Sequence, residues 1–179
     1  MWEIRLHGRG GQGAVTSAEL LARAAISREK FAQAFPSFGP ERRGAPVQAF
    51  VRVDDKKIRK REKIYQPDMV LVLDPSLLDV VNVAEGLKED GIVVVNSPQD
   101  SSELKQKHGW PGAYTVDATR IAMDILSVPI TNTTMLGALL KASGILEPQD
   151  MEEVIMDRFG PKLGPKNFEA LKKAFELAN

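Results

Sequence analysis

The stretch EIRLHGRGGQGAVTSAELLARAA, residues Glu3–Ala25, decides the fold. It begins as a strand, passes through glycines at positions 8, 10, 11 and 13, and continues with an apolar stripe at helical spacing over residues 14–25. A glycine-rich turn between a strand and a helix is a common way to hold a phosphate, since the helix N-terminus carries partial positive charge. The turn is therefore a nucleotide site, a site for another phosphorylated cofactor, or tight backbone packing.

The composition excludes several kinds of protein. The 179 residues include no cysteine and two histidines, so the chain alone holds no disulfide, thiolate zinc site or cysteine-ligated iron–sulfur cluster. Its 24 basic and 24 acidic residues balance, which argues against a dedicated nucleic-acid binder. No apolar run reaches bilayer-spanning length and no secretory signal is visible, so we expect a cytoplasmic protein without a membrane partner.

Apolar runs alternate with helical patterns along the first two thirds of the chain. DMVLVL (68–73) and GIVVVN (91–96) are continuous apolar runs, typical of parallel strands covered on both faces. PVQAFVRV (46–53) alternates and is predicted as a strand, with antiparallel pairing allowed. A helix is expected from Asp74 and Pro75 to roughly Val83. AYTVD (113–117) is a weaker strand, followed by an amphipathic helix.

The last third is predicted to be helical. NTTMLGALLKASG (132–144) has capping residues at its start and a glycine at its end. Two more helices fit QDMEEVIMDRF and KNFEALKKAFELA, separated by GPKLGPK. The sequence thus predicts one domain over residues 1–179. Its fold class is α/β, a three-layer α/β/α sandwich with a mostly parallel, Rossmann-like sheet and a helical C-terminus.

The glycine pattern fits a dinucleotide-binding fingerprint only in part. Gly8, Gly10 and Gly13 match G-x-G-x-x-G between a predicted strand and a predicted helix. An NAD site also needs an acidic residue about 20 residues further on, and residues 31–35 contain none. Arg42 and Arg43 follow instead, and adjacent arginines suit an extra phosphate, as on NADP or coenzyme A. A solvated or interface pair of arginines remains an equal alternative.

Several motifs in order resemble one family. GRGGQG, GPERRGAPVQAFVRV, IYQPDMVLVLDPSLL, EGLKEDGIVVVNS, VDATRIA and NTTMLGAL together resemble the gamma subunit of 2-oxoacid:ferredoxin oxidoreductases. The resemblance covers Ile4 to about Leu146. It implies a Rossmann-like subunit of an enzyme that converts a 2-oxoacid, coenzyme A and oxidised ferredoxin to acyl-CoA, carbon dioxide and reduced ferredoxin.

The resemblance also implies a division of labour among subunits. Alpha, beta and delta-type partner chains would hold thiamine diphosphate, magnesium and [4Fe-4S] clusters, and ferredoxin would meet the complex. The gamma-type chain would carry no redox centre or catalytic residue and would help bind coenzyme A. A purely structural subunit is the first alternative, and an NADP-binding reductase is the second. Which 2-oxoacid is used, pyruvate included, stays open.

The expected coenzyme A site centres on the glycine turn, which begins at Gly8. Backbone amides of residues 10–13, Gly11 among them, would hold phosphate oxygens with the Gln12 side chain nearby. Arg9, Arg42 or Arg43 would add charge-assisted hydrogen bonds. Asn132 and Thr134 either cap a helix or line the cofactor cleft. The basic stretch RVDDKKIRKREKI (52–64) is expected to be a solvated turn or a subunit contact.

Overall fold

The computed structural model describes residues 1–37 and 42–179. In this part of the chain, six strands form one sheet in the order β2-β3-β1-β4-β5-β6. The strands are β1 (Trp2–Arg9), β2 (Phe31–Pro36), β3 (Pro46–Asp54), β4 (Met69–Val72), β5 (Ile92–Asn96) and β6 (Gly112–Val116). The helices are α1 (Ala14–Ser27), α2 (Ser101–His108), α3 (Ala118–Leu126), α4 (Asn132–Ser143) and α5 (Glu152–Leu177).

The sheet is mixed but mostly parallel. Strands β1, β4, β5 and β6 pair in parallel, whereas β3 is antiparallel to both β1 and β2. The antiparallel strand falls on PVQAFVRV, where the alternating pattern allowed it. The two continuous apolar runs form β4 and β5, which are interior strands of the sheet with side chains buried on both faces. The predicted α/β fold class is confirmed.

Helices cover both faces of the sheet unequally. On the first face, α1, α3, α4 and α5 pack over apolar side chains such as Leu6, Leu71 and Val94 in the larger core. On the second face, α2 packs over Val93 and Val95 together with a 3₁₀ turn at Pro75–Asp79. None of the described helices is long and apolar enough to cross a membrane.

Two local predictions were wrong. The helix expected to reach Val83 ends after the single 3₁₀ turn, because the following β-branched residues and asparagine favour helix weakly. Helix α2 was not predicted, although it has start and stop signals. Its N-cap Asp100 accepts a hydrogen bond from the N–H of Ser102 (2.8 Å), and Gly109 ends it in the left-handed conformation.

The two C-terminal helices are joined at a break within α5. Gly160 has φ 74° and ψ 179°, and Pro161 starts the second half. Pro161 suits the first turn of a helix, where its missing N–H would have no partner. The break within the predicted GPKLGPK segment is therefore one residue wide.

The central strand β1 sends polar side chains to the second face. Glu3, Arg5 and His7 are all buried there and alternate with the apolar Ile4 and Leu6 on the first face. This arrangement departs from the apolar pattern of β4 and β5, so the polar groups need internal partners.

The guanidinium of Arg5 binds residues 83–85, at the end of the segment where a helix was predicted and is not formed. Its Nη2 donates to the carbonyl oxygens of Val83 (2.8 Å) and Glu85 (2.6 Å). Its Nε donates to Nε2 of His7 (3.0 Å). A buried arginine thus satisfies two carbonyl groups of a segment that does not continue as a helix.

Candidate functional site at the glycine turn

The turn between β1 and α1 is clamped by the chain that enters β3. The N–H of Gly10 donates to the carbonyl of Ala45 (2.8 Å), and the N–H of Gly44 donates to the carbonyl of Gly10 (3.1 Å). Gly10 also forms a β-bridge with Arg43. The side chains of Arg42 and Arg43 are exposed. The structure therefore places the backbone of both arginines beside the turn.

Gly13 starts α1 in a conformation that favours glycine. Its φ is 82°, and no side chain caps the helix. The carbonyl of Gly13 accepts the N–H of Ser17 (2.9 Å), so the N–H groups of residues 14–16 have no intrahelical partner. The first turn carries no acidic residue. This helix end is suited to an anion.

Gln12 and Arg9 are committed to bonds within the chain. Oε1 of Gln12 accepts the N–H of Arg9 (2.6 Å), and its Nε2 donates to Oδ2 of Asp74 (2.8 Å). Arg9 pairs with the same carboxylate oxygen (3.3 Å) and donates to Oγ of Ser76 (2.8 Å). Both side chains therefore brace the turn from the β4 side.

Asp74 is the acceptor at the centre of this network. Burial by itself opposes its ionisation, but hydrogen bonds from Ser76 and Gln12 and the charge of Arg9 outweigh it. The pKa of the Asp74 carboxyl consequently lies below its ordinary value. The carboxylate stays charged at neutral pH and keeps both Arg9 and Gln12 in place.

Replacing Asp74 by asparagine should loosen the turn. We expect Asp74→Asn to lower the free energy of unfolding by about 1 to 2 kcal/mol, since the charge that pairs with Arg9 is lost and one amide oxygen cannot accept from Arg9, Gln12 and Ser76 together. Urea denaturation measures this change. Asp79→Asn, an exposed carboxyl in the same 3₁₀ turn, is the control and should have little effect. Equal stability of the two variants would contradict the bracing role.

Two clefts flank the turn and share its backbone. One, of about 280 Å³, lies between the turn and β3 and is lined by Arg9, Gly10, Gly11, Gly13, Ala14, Val15, Thr16 and Val47. The other, of about 300 Å³, lies between the turn and the segment before α4 and is lined by Gly11, Gln12, Gly13, Thr16, Pro129, Ile130, Thr131, Asn132, Arg158 and Phe159. The start of α1 therefore faces open space on both sides.

Asn132 lies in the second cleft, where α4 begins. It is 5% exposed, and its Oδ1 has no hydrogen-bond partner among the described residues. Its Nδ2 lies beside Gly13, where an added Cβ would come within 2.6 Å. Thr134 is fully buried and lines neither cleft, and its Oγ1 has no partner in the described part of the chain. The structure thus joins Asn132 to the turn and leaves Thr134 inside α4.

Arg158 and Phe159 line the second cleft and were not found from the sequence. They come from α5, far along the chain, and no local pattern distinguishes them from other residues of an amphipathic helix. Their neighbour Gly160, which breaks α5, was the only local signal of a change in chain direction.

The order of the strands in the sheet argues against a site for NAD or NADP. In a dinucleotide-binding Rossmann fold, the acidic ribose ligand comes from a second parallel strand beside the first. Here the antiparallel β3 occupies that place and separates β1 from β2. This topology disfavours both NAD and NADP in the usual orientation.

Fold and turn together define a Rossmann-like α/β protein with a glycine turn at the start of α1. The sequence model of the pyruvate ferredoxin/flavodoxin oxidoreductase family matches residues 3–177. The pyruvate/ketoisovalerate oxidoreductases common subunit gamma of Thermococcus litoralis is 56% identical over 98% of this chain and 96% of its own. Pyruvate synthase subunit PorC of Methanocaldococcus jannaschii is 55% identical, with the same coverage. The chain therefore belongs to this oxidoreductase family, as a gamma subunit.

Solved structures agree with this assignment. The crystal structure of pyruvate oxidoreductase subunit PORC from Thermotoga maritima has a TM-score of 0.87 and 40% identity, and the match covers 99% of this chain and 97% of that one. A 2-oxoglutarate:ferredoxin oxidoreductase from Magnetococcus marinus, solved with coenzyme A and succinyl-CoA, has a TM-score of 0.80 at 23% identity. The match spans 98% of this chain but 30% of that longer one, and it shows a shared fold.

Proposed function

We propose that this gamma subunit binds and positions coenzyme A in a cytoplasmic 2-oxoacid:ferredoxin oxidoreductase complex. The complex converts a 2-oxoacid, coenzyme A and oxidised ferredoxin to acyl-CoA, carbon dioxide and reduced ferredoxin. Alpha, beta and delta-type subunits would hold thiamine diphosphate, magnesium and the [4Fe-4S] clusters. The observation that carries the proposal is the uncapped start of α1, open to two clefts.

The chemistry around this helix end fits the phosphates of coenzyme A. The N–H groups of residues 14–16 have no intrahelical partner, and Asn132 adds a buried amide beside them. Exposed Arg42 and Arg43 adjoin one side of the turn, and exposed Arg158 lines the other. Positive groups thus surround an anion site from three segments of the chain.

The names of relatives support the same reaction class. The Thermococcus relative is named for pyruvate and ketoisovalerate, and the Magnetococcus structure was solved with coenzyme A. We extend the use of coenzyme A and of a pyruvate-type 2-oxoacid to this chain on these grounds. No side chain here is assigned a reacting role. Holding the thiol close to the partner subunits raises its effective concentration, which accelerates acyl transfer by positioning.

Calorimetric titration of coenzyme A into the assembled complex tests this proposal. We expect Arg42→Ala/Arg43→Ala to weaken coenzyme A binding about tenfold, because two exposed charge-assisted contacts are lost. Lys105→Ala/Lys107→Ala removes the same charge from the exposed face of α2 and should bind as the wild type does. NADP serves as the negative ligand. If the double alanine variant forms an intact complex with unchanged affinity for coenzyme A, Arg42 and Arg43 do not belong to the site.

The internal commitment of Arg9 and Gln12 favours a second function, a purely structural turn. Both side chains are already satisfied by Asp74 and Ser76, as expected of a turn that only joins β1 to α1. A substitution at Gly13 distinguishes the two functions, because Gly13 lines both clefts and also lies against Asn132 of α4. A Gly13 variant that loses stability but keeps its KM for coenzyme A would favour the structural function.

A further inference from the structure

A dense group of cations lies on the second sheet face, away from the glycine turn. Residues 56–63, KKIRKREK, contain six lysines or arginines and one glutamate, in a chain whose total charge is zero. We call these residues the basic strap. All of its side chains except that of Ile58, which is half-buried, are exposed.

The basic strap is joined to the rest of the chain at few points. Residues 56–66 make no main-chain to main-chain hydrogen bond to any described residue. Lys60 contacts Glu3 (3.5 Å), and Ile64 just beyond the strap is buried. Within the described ranges, the other cations of the strap form no ion pair. The backbone and most charges of the strap are thus open to an external partner.

The anchor of the strap is itself buried and charged. Glu3 accepts from Nε of Arg52 at 2.8 Å, and Arg52 is 1% exposed. Arg52 also lies over the ring of Phe35 (5.6 Å). Oε1 of Glu3 pairs with both Arg52 and Lys60. The single negative charge of Glu3 is therefore already matched and does not offset the other cations of the strap.

Exposed apolar side chains share this face. Met1 and Phe31 are 46% and 45% exposed. Strand alternation places Met1 on the face of Glu3, and Phe31 pairs with Asp54 at the edge of the sheet. Tyr65, at the end of the strap, is 61% exposed. Aromatic, methionine and arginine side chains are enriched in protein interfaces, where a few apolar anchors are surrounded by a polar rim.

We propose that the basic strap, with Met1, Phe31 and Tyr65, docks an acidic surface of another subunit of the same complex. A nucleic acid fits poorly, because residues 56–63 contain no aromatic residue between their cations and the charge of the whole chain is balanced. A ferredoxin fits poorly as well, since a chain without cysteine has no thiolate to hold a cluster to which ferredoxin must come close. A permanent subunit contact accounts for both the charge and the apolar anchors.

The docking surface is separate from the candidate coenzyme A site. Glu3 lies at the start of β1 and the glycine turn follows its end, roughly 20 Å further along the strand. A partner bound to the strap leaves both clefts open. This inference rests on the assignment to a multisubunit enzyme but not on coenzyme A binding by this chain.

Dissociation of the gamma subunit from the diluted complex tests the docking surface. We expect Lys57→Glu/Arg59→Glu to raise the Kd for the gamma subunit at least about tenfold at about 150 mM salt, measured by mass photometry. Wild-type affinity should fall as salt rises. Lys162→Glu/Lys166→Glu changes the same charge on the exposed face of α5 and should assemble normally. Lys57→Gln/Arg59→Gln, which removes charge without reversing it, should give an intermediate Kd.

Other results would overturn this assignment. Wild-type Kd values in both strap variants would show that the strap is only solvated. If the strap variants assemble normally but have a raised KM for ferredoxin, the strap is a docking surface for ferredoxin rather than for a subunit. Far-UV circular dichroism confirms that each variant is folded. Coenzyme A titration into the variants is expected to be unchanged, which separates failure of this inference from failure of the proposed function.

Discussion

Gly13→Ala should raise the KM for coenzyme A about 100-fold in the assembled enzyme, equivalent to about 2.8 kcal/mol. Two costs combine at this position. An L-residue at φ 82° is strained by about 1 kcal/mol. The new Cβ would also lie 2.6 Å from Nδ2 of Asn132, so either the start of α1 or the amide must move. Both line the second cleft, and the phosphate site is deformed.

Gly11→Ala is the matched control for this substitution. Gly11 has a comparable φ of 92°, but an added Cβ would meet no atom within 4 Å. Only the backbone strain applies there, so we expect a rise in KM of less than about tenfold. Because this subunit contributes no reacting group to the proposed mechanism, kcat at saturating coenzyme A should change little in either variant. Equal KM values for the two variants would contradict the cleft assignment.

The wild-type chain should lose stability between pH 6.5 and pH 4.5 more steeply than His7→Gln does. Burial, with the adjacent charge of Arg5, lowers the pKa of His7 to about 3. Below pH 6.5 His7 is therefore increasingly protonated in the unfolded chain but stays neutral in the folded chain, so protons stabilise the unfolded state. Because the unfolded histidine is only half protonated at pH 6.5, the difference over these two pH units amounts to about 2.3 kcal/mol of unfolding free energy.

Glutamine is the appropriate replacement because its carbonyl oxygen can accept the Nε–H of Arg5, as Nε2 of His7 does. Urea denaturation of both proteins at pH 7.5, 6.5, 5.5 and 4.5 gives the comparison. At pH 7.5 the histidine is neutral in both states, so any difference there reports packing alone. Stability curves that run parallel down to pH 4.5 would show that His7 does not couple folding to protons.

The local elements near the turn were predictable because their causes are local. Glycine spacing after an apolar strand, and the apolar stripe behind it, place the start of β1, the turn and α1 within two residues, although β1 continues to Arg9, beyond the predicted WEIRL. The same holds for β3, β4 and the end of α4 at Gly144, whose patterns lie within the segment itself. The capping role suggested for Asn132 and Thr134 was wrong, because Thr131 is the N-cap of α4 and no side chain caps the helix. The helix expected up to Val83 stops after one 3₁₀ turn, and the carbonyl of Val83 is bound instead by Arg5, 78 residues earlier in the chain.

The side-chain roles at the turn were less predictable than its backbone. Arg9 and Gln12 were expected near phosphate, and their neighbours in space turn out to be Asp74 and Ser76. Asn132 was one of two residues suggested from the α4 cap, and only it lines a cleft. A sequence pattern places a residue on an element, whereas its partners come from elements that are distant in sequence.

The sequence by itself determined the α/β class, the glycine turn between a strand and a helix, the absence of thiolate chemistry and the family resemblance. These depend on composition and on spacings within short segments, where propensity and hydrophobic period act directly. Only the tertiary structure decided that β3 separates β1 from β2, that Ala45 and Asn132 enclose the turn, and that Glu3 anchors the basic strap. Each of these results from packing between segments far apart in the chain, because the sheet order and the burial of charged groups are settled only when all the strands pair.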